Sequence, residues 1–275
     1  MQILTTAAAL RARLRTETAI VFVPTMGNLH QGHLNLMRLA RAHGDCVVAS
    51  IFVNPLQFGP NEDFDCYPRT FTADCAQLEG LVDVLFAPSV AEMYPNPQTL
   101  LVEPPPVANQ LCGANRPGHF RGMATVVLKL FNLVQPDVAL FGKKDYQQLH
   151  IIRQMVTQFN LPIQIVGGET VRAEDGLALS SRNQYLNEAQ RTEAASLFRT
   201  LNRLSDAVLQ GESDISSLEH AAIAALTARG WHVDYLTMRN QSDLLPATQG
   251  ARVILAAAKL GTVRLLDNVE LGDAA

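Results

Sequence analysis

The sequence predicts an α/β protein whose larger part is a doubly wound parallel sheet. An apolar run at residues 19–23 passes through a tight turn into residues 34–40, where apolar residues recur at helical spacing, so this segment is predicted as strand, turn and helix. The same order returns at residues 137–159, and the mainly apolar run at 46–53, broken only by Ser50, is typical of a strand buried on both faces. We therefore expect a Rossmann-like fold.

The other elements of this larger part follow from apolar periodicity in chain order. Residues 3–15 predict a surface helix, and a helix over about 72–79 precedes a short strand at 82–86. Residues 93–122 are rich in Pro, Gly and Asn, which indicates a long irregular segment. A helical stripe from Val126 to Val134 ends at Pro136, and residues 163–166 predict the last strand of the sheet.

A smaller C-terminal α+β domain is expected beyond a boundary near Thr170. The predicted domains are residues 1–170, the Rossmann-like domain, and residues 171–275, a smaller domain that acts as a lid. The second domain is predicted to contain helices at about 188–210 and 215–229, followed by strands at 231–238, 252–258 and 263–266.

Composition limits the classes of function. The 275 residues carry a net charge of −4, which offers no polycationic surface to a nucleic acid. The four cysteines form no C-x-x-C, and three arginines interrupt the first apolar stretch, so we expect reduced thiols and a cytoplasmic protein. No run of eighteen apolar residues predicts a membrane span.

The first strand-to-helix turn predicts an anion site. Gly27 and Gly32 let the backbone approach a ligand, and the free amides at the start of the next helix are expected to face a phosphate. The glycine spacing fits the beginning of a P-loop, but His33-Leu34 stands where that motif requires Lys and then Ser or Thr. The segment also lacks G-x-G-x-x-G, which argues against a dinucleotide dehydrogenase.

Two histidines in this turn admit three interpretations. His30 and His33 lie one helical turn apart, so both imidazoles could grip one polyphosphate. They could equally be surface or capping residues brought together by chance. Zinc binding is a third possibility, which the lack of a nearby Cys or carboxylate at ligand spacing disfavours.

The strand at 137–141 repeats this design with different polar residues. Lys144 is expected to place a point charge on a phosphate, whereas Lys143 is expected to be exposed. Asp145 is expected to cap the following helix, and Gln148, one turn later, should face the same way as Lys144.

Three further segments carry candidate binding residues. Gln57 follows the strand at 46–53, where a carboxamide can hydrogen-bond a small polar substrate. Arg182 and the hydroxyls before it are suited to closing over a triphosphate, and the cations at 116–121 could cover an anionic substrate. The acidic run at 61–65 could approach Mg²⁺ through water, although a solvated face is the simpler interpretation.

Six motifs in chain order resemble the pantothenate synthetase (pantoate-β-alanine ligase) family. This family belongs to the H-x-G-H nucleotidyltransferase-like superfamily, and the resemblance covers nearly the full chain. The motifs are V-P-T-M-G-N-L-H-Q-G-H at 23–33, S-I-F-V-N-P-L-Q-F at 50–58, Y-P-R-T at 67–70, R-P-G-H-F at 116–120, F-G-K-K-D-Y-Q-Q at 141–148 and L-S-S-R-N at 179–183.

The resemblance implies a reaction and a set of site residues. The reaction is ATP-dependent condensation of (R)-pantoate with β-alanine through a pantoyl-adenylate, which releases pyrophosphate and AMP and uses Mg²⁺. Gln57 and Gln148 are implied to hold pantoate, with Gln57 also meeting β-alanine. His30, His33 and Lys144 are expected to act in catalysis. The residues implied to hold ATP are Met26, Gly27, Asn28, Leu29, His30, Gln31, Gly32, His33, Gly142, Lys143, Lys144, Asp145, Val171, Leu179, Ser180, Ser181 and Arg182.

Some expectations stay open. The acidic residues near Asp74 and the nearby Gln77 match the family's metal region only loosely, so metal ligands are not assigned. The resemblance implies a homodimer with small-molecule substrates. Two alternative functions share the same pocket: a nucleotidyltransferase that moves AMP or CMP onto a phosphorylated alcohol, and a non-catalytic nucleotide sensor.

Overall fold

The larger sheet has six parallel strands in the order β1-β4-β3-β2-β5-β6. The computed structural model describes residues 1–60, 62, 64–247 and 250–272. The strands are β1 (Gln2–Leu4), β2 (Ile20–Thr25), β3 (Cys46–Ile51), β4 (Val84–Phe86), β5 (Val138–Gly142) and β6 (Gln164–Gly168). This arrangement confirms the predicted fold class.

Helices cover both faces of this sheet. They are α1 (Ala7–Leu14), α2 (Gln31–Ala40), α3 (Phe71–Leu78), α4 (Val90–Met93), α5 (Cys112–Asn115), α6 (His119–Val134) and α7 (Tyr146–Gln158). Successive residues of β2 point to opposite faces: Phe22 packs in a core with residues of α1, α6 and α7, whereas Val21 and Val23 pack with residues of α2 and α3. The sheet is therefore doubly wound.

The smaller unit consists of three helices and an antiparallel sheet. The helices are α8 (Glu188–Ala194), α9 (Ser196–Leu209) and α10 (Ile215–Ala228), and the strands are β7 (Trp231–Asn240), β8 (Arg252–Leu260) and β9 (Val263–Leu271). Leu201, Leu226 and Ile254 are fully buried in the core between them. The boundary predicted near Thr170 lies just after β6, and the division into two domains stays a prediction.

The prediction of one surface helix at residues 3–15 was wrong. Residues Gln2–Leu4 form β1, which pairs with β4 in the register Ile3 to Leu85, and α1 begins only after Thr6. The Thr6 side chain accepts a hydrogen bond from the Ala9 amide and so caps the helix. Three residues paired with a strand about eighty positions away leave no periodic pattern of their own.

Residues 93–122, predicted to be irregular, contain short elements. They include a 3-10 turn at Pro106–Asn109, α5, and the first residues of α6. The helix predicted over 188–210 is divided into α8 and α9 at Ala195. Within the described residues, no helix has the length and apolar character that crossing a membrane would require.

One close backbone approach shapes the interior below the sheet's carboxyl edge. Helix α6 packs against the 3-10 turn Pro55–Gln57, and a Cβ atom at Gly122 would overlap the Leu56 carbonyl. The Gly122 carbonyl also accepts a hydrogen bond from Asn54 Nδ2 at 3.2 Å. The absence of a side chain at this helix position fixes where Gln57 lies.

Candidate active site

A cavity of about 230 Å³ opens at the carboxyl ends of β2 and β5. These strands pair directly, in the register Val21 to Val138, and the chain leaves β2 toward β3 on one side and β5 toward β6 on the other. This is the switch point at which doubly wound sheets bind ligands. The predicted site residues that line it are Met26, His30, Gly32, His33, Gln57, Gly142, Lys144, Asp145, Gln148, Val171, Leu179, Ser180, Ser181 and Arg182.

Five of the predicted nucleotide-binding residues are not among those that line the cavity: Gly27, Asn28, Leu29, Gln31 and Lys143. The first three belong to the turn after β2, where Gly27 and Asn28 have φ of 81° and 49°. The buried Asp74 carboxylate accepts the amides of Asn28 and Leu29 at 3.0 and 2.8 Å. Asp74 therefore holds this turn and occupies these two amides, while the binding of ATP by this segment stays a prediction.

The two histidines form a capping box at the start of α2. His30 Nδ1 accepts from the Gly32 amide at 3.1 Å, and His33 Nδ1 accepts from the His30 amide at 3.3 Å. The amide of His33 donates to the His30 carbonyl. The helix terminus thus satisfies the amides of His30, Gly32 and His33 internally, and anion binding at this terminus stays a prediction.

Both imidazoles also line the cavity, so the capping and ligand-facing interpretations hold together. Burial lowers the pKa of His30 to about 4 and that of His33 to about 3. Both rings are therefore neutral at pH 7. Because each Nδ1 accepts a backbone N–H, the ring proton lies on Nε2, which makes each histidine a neutral donor rather than a cation.

Gln57 is held by a buried network that sequence reasoning missed. Its Oε1 accepts from Asn54 Nδ2 at 3.1 Å, and its Nε2 donates to Met26 Sδ at 3.0 Å. Asn54 Oδ1 in turn accepts from the Tyr94 hydroxyl at 2.7 Å. Only the position of Asn54 in the short segment between β3 and the 3-10 turn Pro55–Gln57 could have signalled this role.

His119 supports the same segment through the backbone. Its Nδ1 lies 2.8 Å from the Gln57 carbonyl and its Nε2 lies 3.0 Å from Arg116 Nη1, so Nδ1 donates and Nε2 accepts. Burial lowers the pKa of His119 to about 4, which keeps this tautomer neutral.

Arg116 lines the cavity but pairs with Glu62, and Arg121 pairs with Glu103 at the surface. Arg116 and Arg121 are therefore each paired with a carboxylate, and the covering of an anionic substrate by the cations at 116–121 stays a prediction.

The turn after β5 separates the two lysines. Lys144 lines the cavity, with its Nζ 3.7 Å from Asp145 Oδ2. Lys143 was predicted to be exposed, but its Nζ contacts Glu169 and Glu270 at 2.6 and 2.7 Å. Because its ammonium pairs with Glu169 and Glu270, Lys143 is not among the residues that line the cavity.

Asp145 does not cap α7 as predicted, since its side chain makes no capping hydrogen bond. It lines the cavity between Lys144 and Arg182. Desolvation alone would raise its pKa, but these two cations lower the pKa below the ordinary carboxyl value. Asp145 is therefore an anion that offsets the positive charge of the cleft.

Adjacent carboxamides at the start of α7 have different surroundings. Gln147 is buried: it donates to the carbonyls of Val107 and Gln110 and accepts the Cys112 amide, all at 2.9–3.0 Å. Gln148 lies on the cavity wall. The second carboxamide is thus the one available to a ligand.

The segment carrying Arg182 is anchored to the small sheet. Arg172 forms a bidentate pair with the buried Asp267 at 2.7 and 2.9 Å, and its guanidinium lies 3.6 Å from the Phe198 ring centroid. The Ser180 hydroxyl accepts the Arg182 amide at 3.3 Å. These contacts fix the loop that the sequence predicted would close over a triphosphate.

The described residues bring no three His, Cys, Asp or Glu side chains together in a metal-binding cluster. Asp74 is occupied by two amides and the Thr70 hydroxyl. Asp63, part of the acidic run considered for Mg²⁺, lies outside the described residues. Both Nδ1 atoms of His30 and His33 accept backbone amides, and no third ligand among the described residues joins them, which disfavours the zinc interpretation.

The fold and the site together define an α/β nucleotide-binding enzyme. The sheet is doubly wound, and its switch point carries two imidazole donors, a lysine and two carboxamides. The family model described as pantoate-beta-alanine ligase matches residues 2–270. Pantothenate synthetases of Methylobacillus flagellatus and Nitrosospira multiformis are 58% and 55% identical to this chain, with 98% of each chain covered. The chain belongs to the pantoate-β-alanine ligase family.

Solved structures agree with this assignment. Pantothenate synthetase from Thermus thermophilus superposes with a TM-score of 0.94 at 46% identity, covering 99% of this chain and 100% of that one. The Francisella tularensis ligase, solved with βγ-ATP and β-alanine, gives a TM-score of 0.77 at 35% identity over 98% and 97% of the two chains. The predicted family, enzyme class and reaction are therefore confirmed.

The histidine pKa values predict a pH-dependent stability. In the unfolded chain, His30, His33 and His119 become protonated below about pH 6.5. In the folded chain, the same imidazoles stay neutral until the pH falls to about 4 for His30 and His119 and about 3 for His33. The free energy of unfolding should therefore fall by roughly 1 to 2 kcal/mol per imidazole between pH 7 and pH 5. Urea unfolding at the two pH values measures this loss.

Matched substitutions identify the source of that loss. Asn at position 30 keeps an acceptor where Nδ1 lies but cannot titrate, so His30→Asn should lose less stability on acidification than the parent. His232, an exposed histidine, serves as the control: His232→Asn should keep the parental pH dependence. An unchanged slope in His30→Asn would contradict the assignment.

Proposed function

We propose that the cavity between the ends of β2 and β5 binds ATP and pantoate together and catalyses both half-reactions of pantothenate formation. One observation carries this assignment: the two paired strands bring His30, His33 and Lys144 to one cavity, with Gln57 and Gln148 on its wall. The neighbour solved with βγ-ATP and β-alanine supports it. Ser180, Ser181 and Arg182 approach from the small unit to complete the phosphate contacts.

In the first half-reaction the pantoate carboxylate attacks the α-phosphorus of ATP. An acyl–phosphate bond forms, the bond to the bridging oxygen breaks, and pyrophosphate leaves with its electron pair. Negative charge grows on the phosphoryl oxygens during this step. The Nε2–H groups of His30 and His33 and the ammonium of Lys144 are fixed donors for that charge, and the protein contributes no covalent nucleophile.

The histidines suit this role because their orientation does not depend on the substrate. Each ring is held by a backbone amide on Nδ1, so little reorganisation is needed when charge develops. Neutral rings also do not compete with Lys144 through charge repulsion. Lys144 then supplies the formal positive charge, which Asp145 moderates at 3.7 Å.

In the second half-reaction the neutral amine of β-alanine attacks the acyl carbon of pantoyl-adenylate. The C–N bond forms, the bond between the acyl carbon and the phosphate oxygen breaks, AMP leaves with that electron pair, and the nitrogen releases one proton to solvent. Gln57, 7% exposed and fixed by Asn54, is placed to bind pantoate and to meet β-alanine. The apolar part of the wall, with Phe52, Met123 and Val126, keeps water from the mixed anhydride.

Three further features complete the proposal. Because the described residues form no metal cluster of their own, Mg²⁺ would enter with the triphosphate, and no step is assigned to the ion.

We propose a homodimer, as the family resemblance implies, and the exposed Leu100 and Leu101 are consistent with a contact surface. We also propose a cytoplasmic location, in keeping with four unpaired cysteines.

Product analysis tests the reaction. With ATP and pantoate alone, the protein should release about one equivalent of pyrophosphate per site and retain the adenylate. Addition of β-alanine should then release AMP and start continuous turnover. Transfer of AMP or CMP to a phosphorylated alcohol, or ATP binding without pyrophosphate release in the presence of pantoate, would refute the proposal.

The histidine donors are tested by a substitution that preserves the cap. His33→Asn keeps an acceptor for the His30 amide but removes the Nε2–H group. We expect the rate of pyrophosphate formation in a single turnover to fall about 10²- to 10³-fold, as for loss of one preorganised donor. The melting temperature should change little. A parental rate in a folded His33→Asn variant would exclude this role.

The two adjacent carboxamides at the start of α7, Gln147 and Gln148, give a contrasting pair. Gln148→Ala should raise KM for pantoate about tenfold and leave KM for ATP nearly unchanged, because one substrate hydrogen bond is lost. Gln147→Ala should instead lower the free energy of unfolding by about 1 to 3 kcal/mol, since three buried backbone groups lose their partner. Equal KM effects of Gln148→Ala on both substrates would contradict its assignment to pantoate.

A further inference from the structure

Strand β9 of the small sheet contacts both walls of the nucleotide cavity. Asp267 binds Arg172, which holds the hairpin leading to Arg182. Asn268 Nδ2 donates to the carbonyls of Lys143 and Lys144 at 2.9 and 3.0 Å. One strand therefore connects the Lys144 turn with the Arg182 segment.

The Lys143–Asp145 turn has little support from its own side chains. Gly142, before the turn, has no side chain, and Asp145, before α7, makes no capping bond. Glu270 adds contacts to the Lys143 ammonium and the Tyr146 hydroxyl at 2.7 and 2.8 Å. The backbone carbonyl of Lys144 itself is held from outside by Asn268.

The chemistry of these contacts specifies an amide at position 268. Both groups facing the side chain are carbonyl oxygens, so only an NH₂ group with two hydrogens satisfies them together. Asn268 is 6% exposed, so loss of its side-chain donor would leave both carbonyl oxygens without this protein partner. The backbone N–H of Asn268 also donates to Asp267 Oδ1 at 2.8 Å, which links the two contacts of β9.

We propose that Asn268 is a positioning residue for Lys144, and that β9 sets the spacing between Lys144 and Arg182 across the phosphate site. This inference rests on the proposed function, because it assigns to Lys144 the charge that stabilises the phosphoryl group. Asn268 itself lies behind the turn and acts through the lysine. Pantoate binding by Gln57 and Gln148 does not involve it.

An isosteric substitution tests this role. Asn268→Asp keeps the shape but presents a carboxylate to two carbonyl oxygens, so both bonds are lost. We expect the single-turnover rate of pyrophosphate formation to fall about 10- to 100-fold, with KM for pantoate changed less than twofold. Asn132→Asp makes the same chemical change on an exposed position of α6 and should keep the parental rate.

A double-mutant cycle separates positioning from a general structural effect. If Asn268 acts through Lys144, adding Asn268→Asp to Lys144→Ala should reduce the rate by less than a further twofold. Losses that multiply in the double variant would overturn the inference, even if the proposed function stands. A parental rate in Lys144→Ala alone would instead overturn the proposed role of the lysine.

A second substitution serves as the control for misfolding. Asn268→Ala removes the donor without adding a buried charge, so it can replace Asn268→Asp in the double-mutant cycle if the Asp variant does not fold. Circular dichroism and thermal unfolding verify each protein before kinetics. A folded Asn268→Ala variant with parental rate and parental KM for ATP would also exclude the positioning role.

Discussion

Parallel pairing of β2 with β5 is the constraint on which the site depends. The pairing places the turn after Thr25 beside the turn after Gly142, and neither turn alone offers both imidazole and ammonium donors. Helices on both faces make this pairing rigid, because every residue of Val21–Val23 is fully buried. A triphosphate held across the two strand ends therefore meets donors whose separation is fixed by backbone hydrogen bonds rather than by side-chain flexibility.

Several polar groups in this site serve structure and chemistry with different atoms. His30 and His33 use Nδ1 to cap α2 and retain Nε2–H for the cavity. The cost of burying them is a depressed pKa, and that same shift keeps the rings neutral donors at pH 7. Asp74, in contrast, has a structural role: its buried carboxylate accepts the backbone amides of Asn28 and Leu29. Within the protein, an anion is therefore already bound to these two amides of the glycine-rich turn.

The sequence was sufficient for the strand ends and insufficient for what surrounds them. Apolar runs followed by glycine and polar residues located both turns, because that pattern is local. It separated Lys144 from Lys143 but predicted Lys143 to be exposed, because the partners of Lys143 are Glu169 and Glu270, the latter more than a hundred residues away. Asp74 was missed as a turn anchor for the same reason: its partners lie in another segment of the chain.

The contribution of the small unit shows how such distant contacts matter for chemistry. Sequence reasoning placed functional residues of that unit only around Arg182, yet β9 supplies Asp267 and Asn268 to segments on both sides of the cavity. If the Lys144 backbone were free to move, it would have to be ordered in each turnover. That ordering costs conformational entropy, which would reduce the net electrostatic stabilisation that the ammonium gives. In the proposed function, the antiparallel sheet is therefore part of the frame that sets where Lys144 and Arg182 meet a bound phosphate.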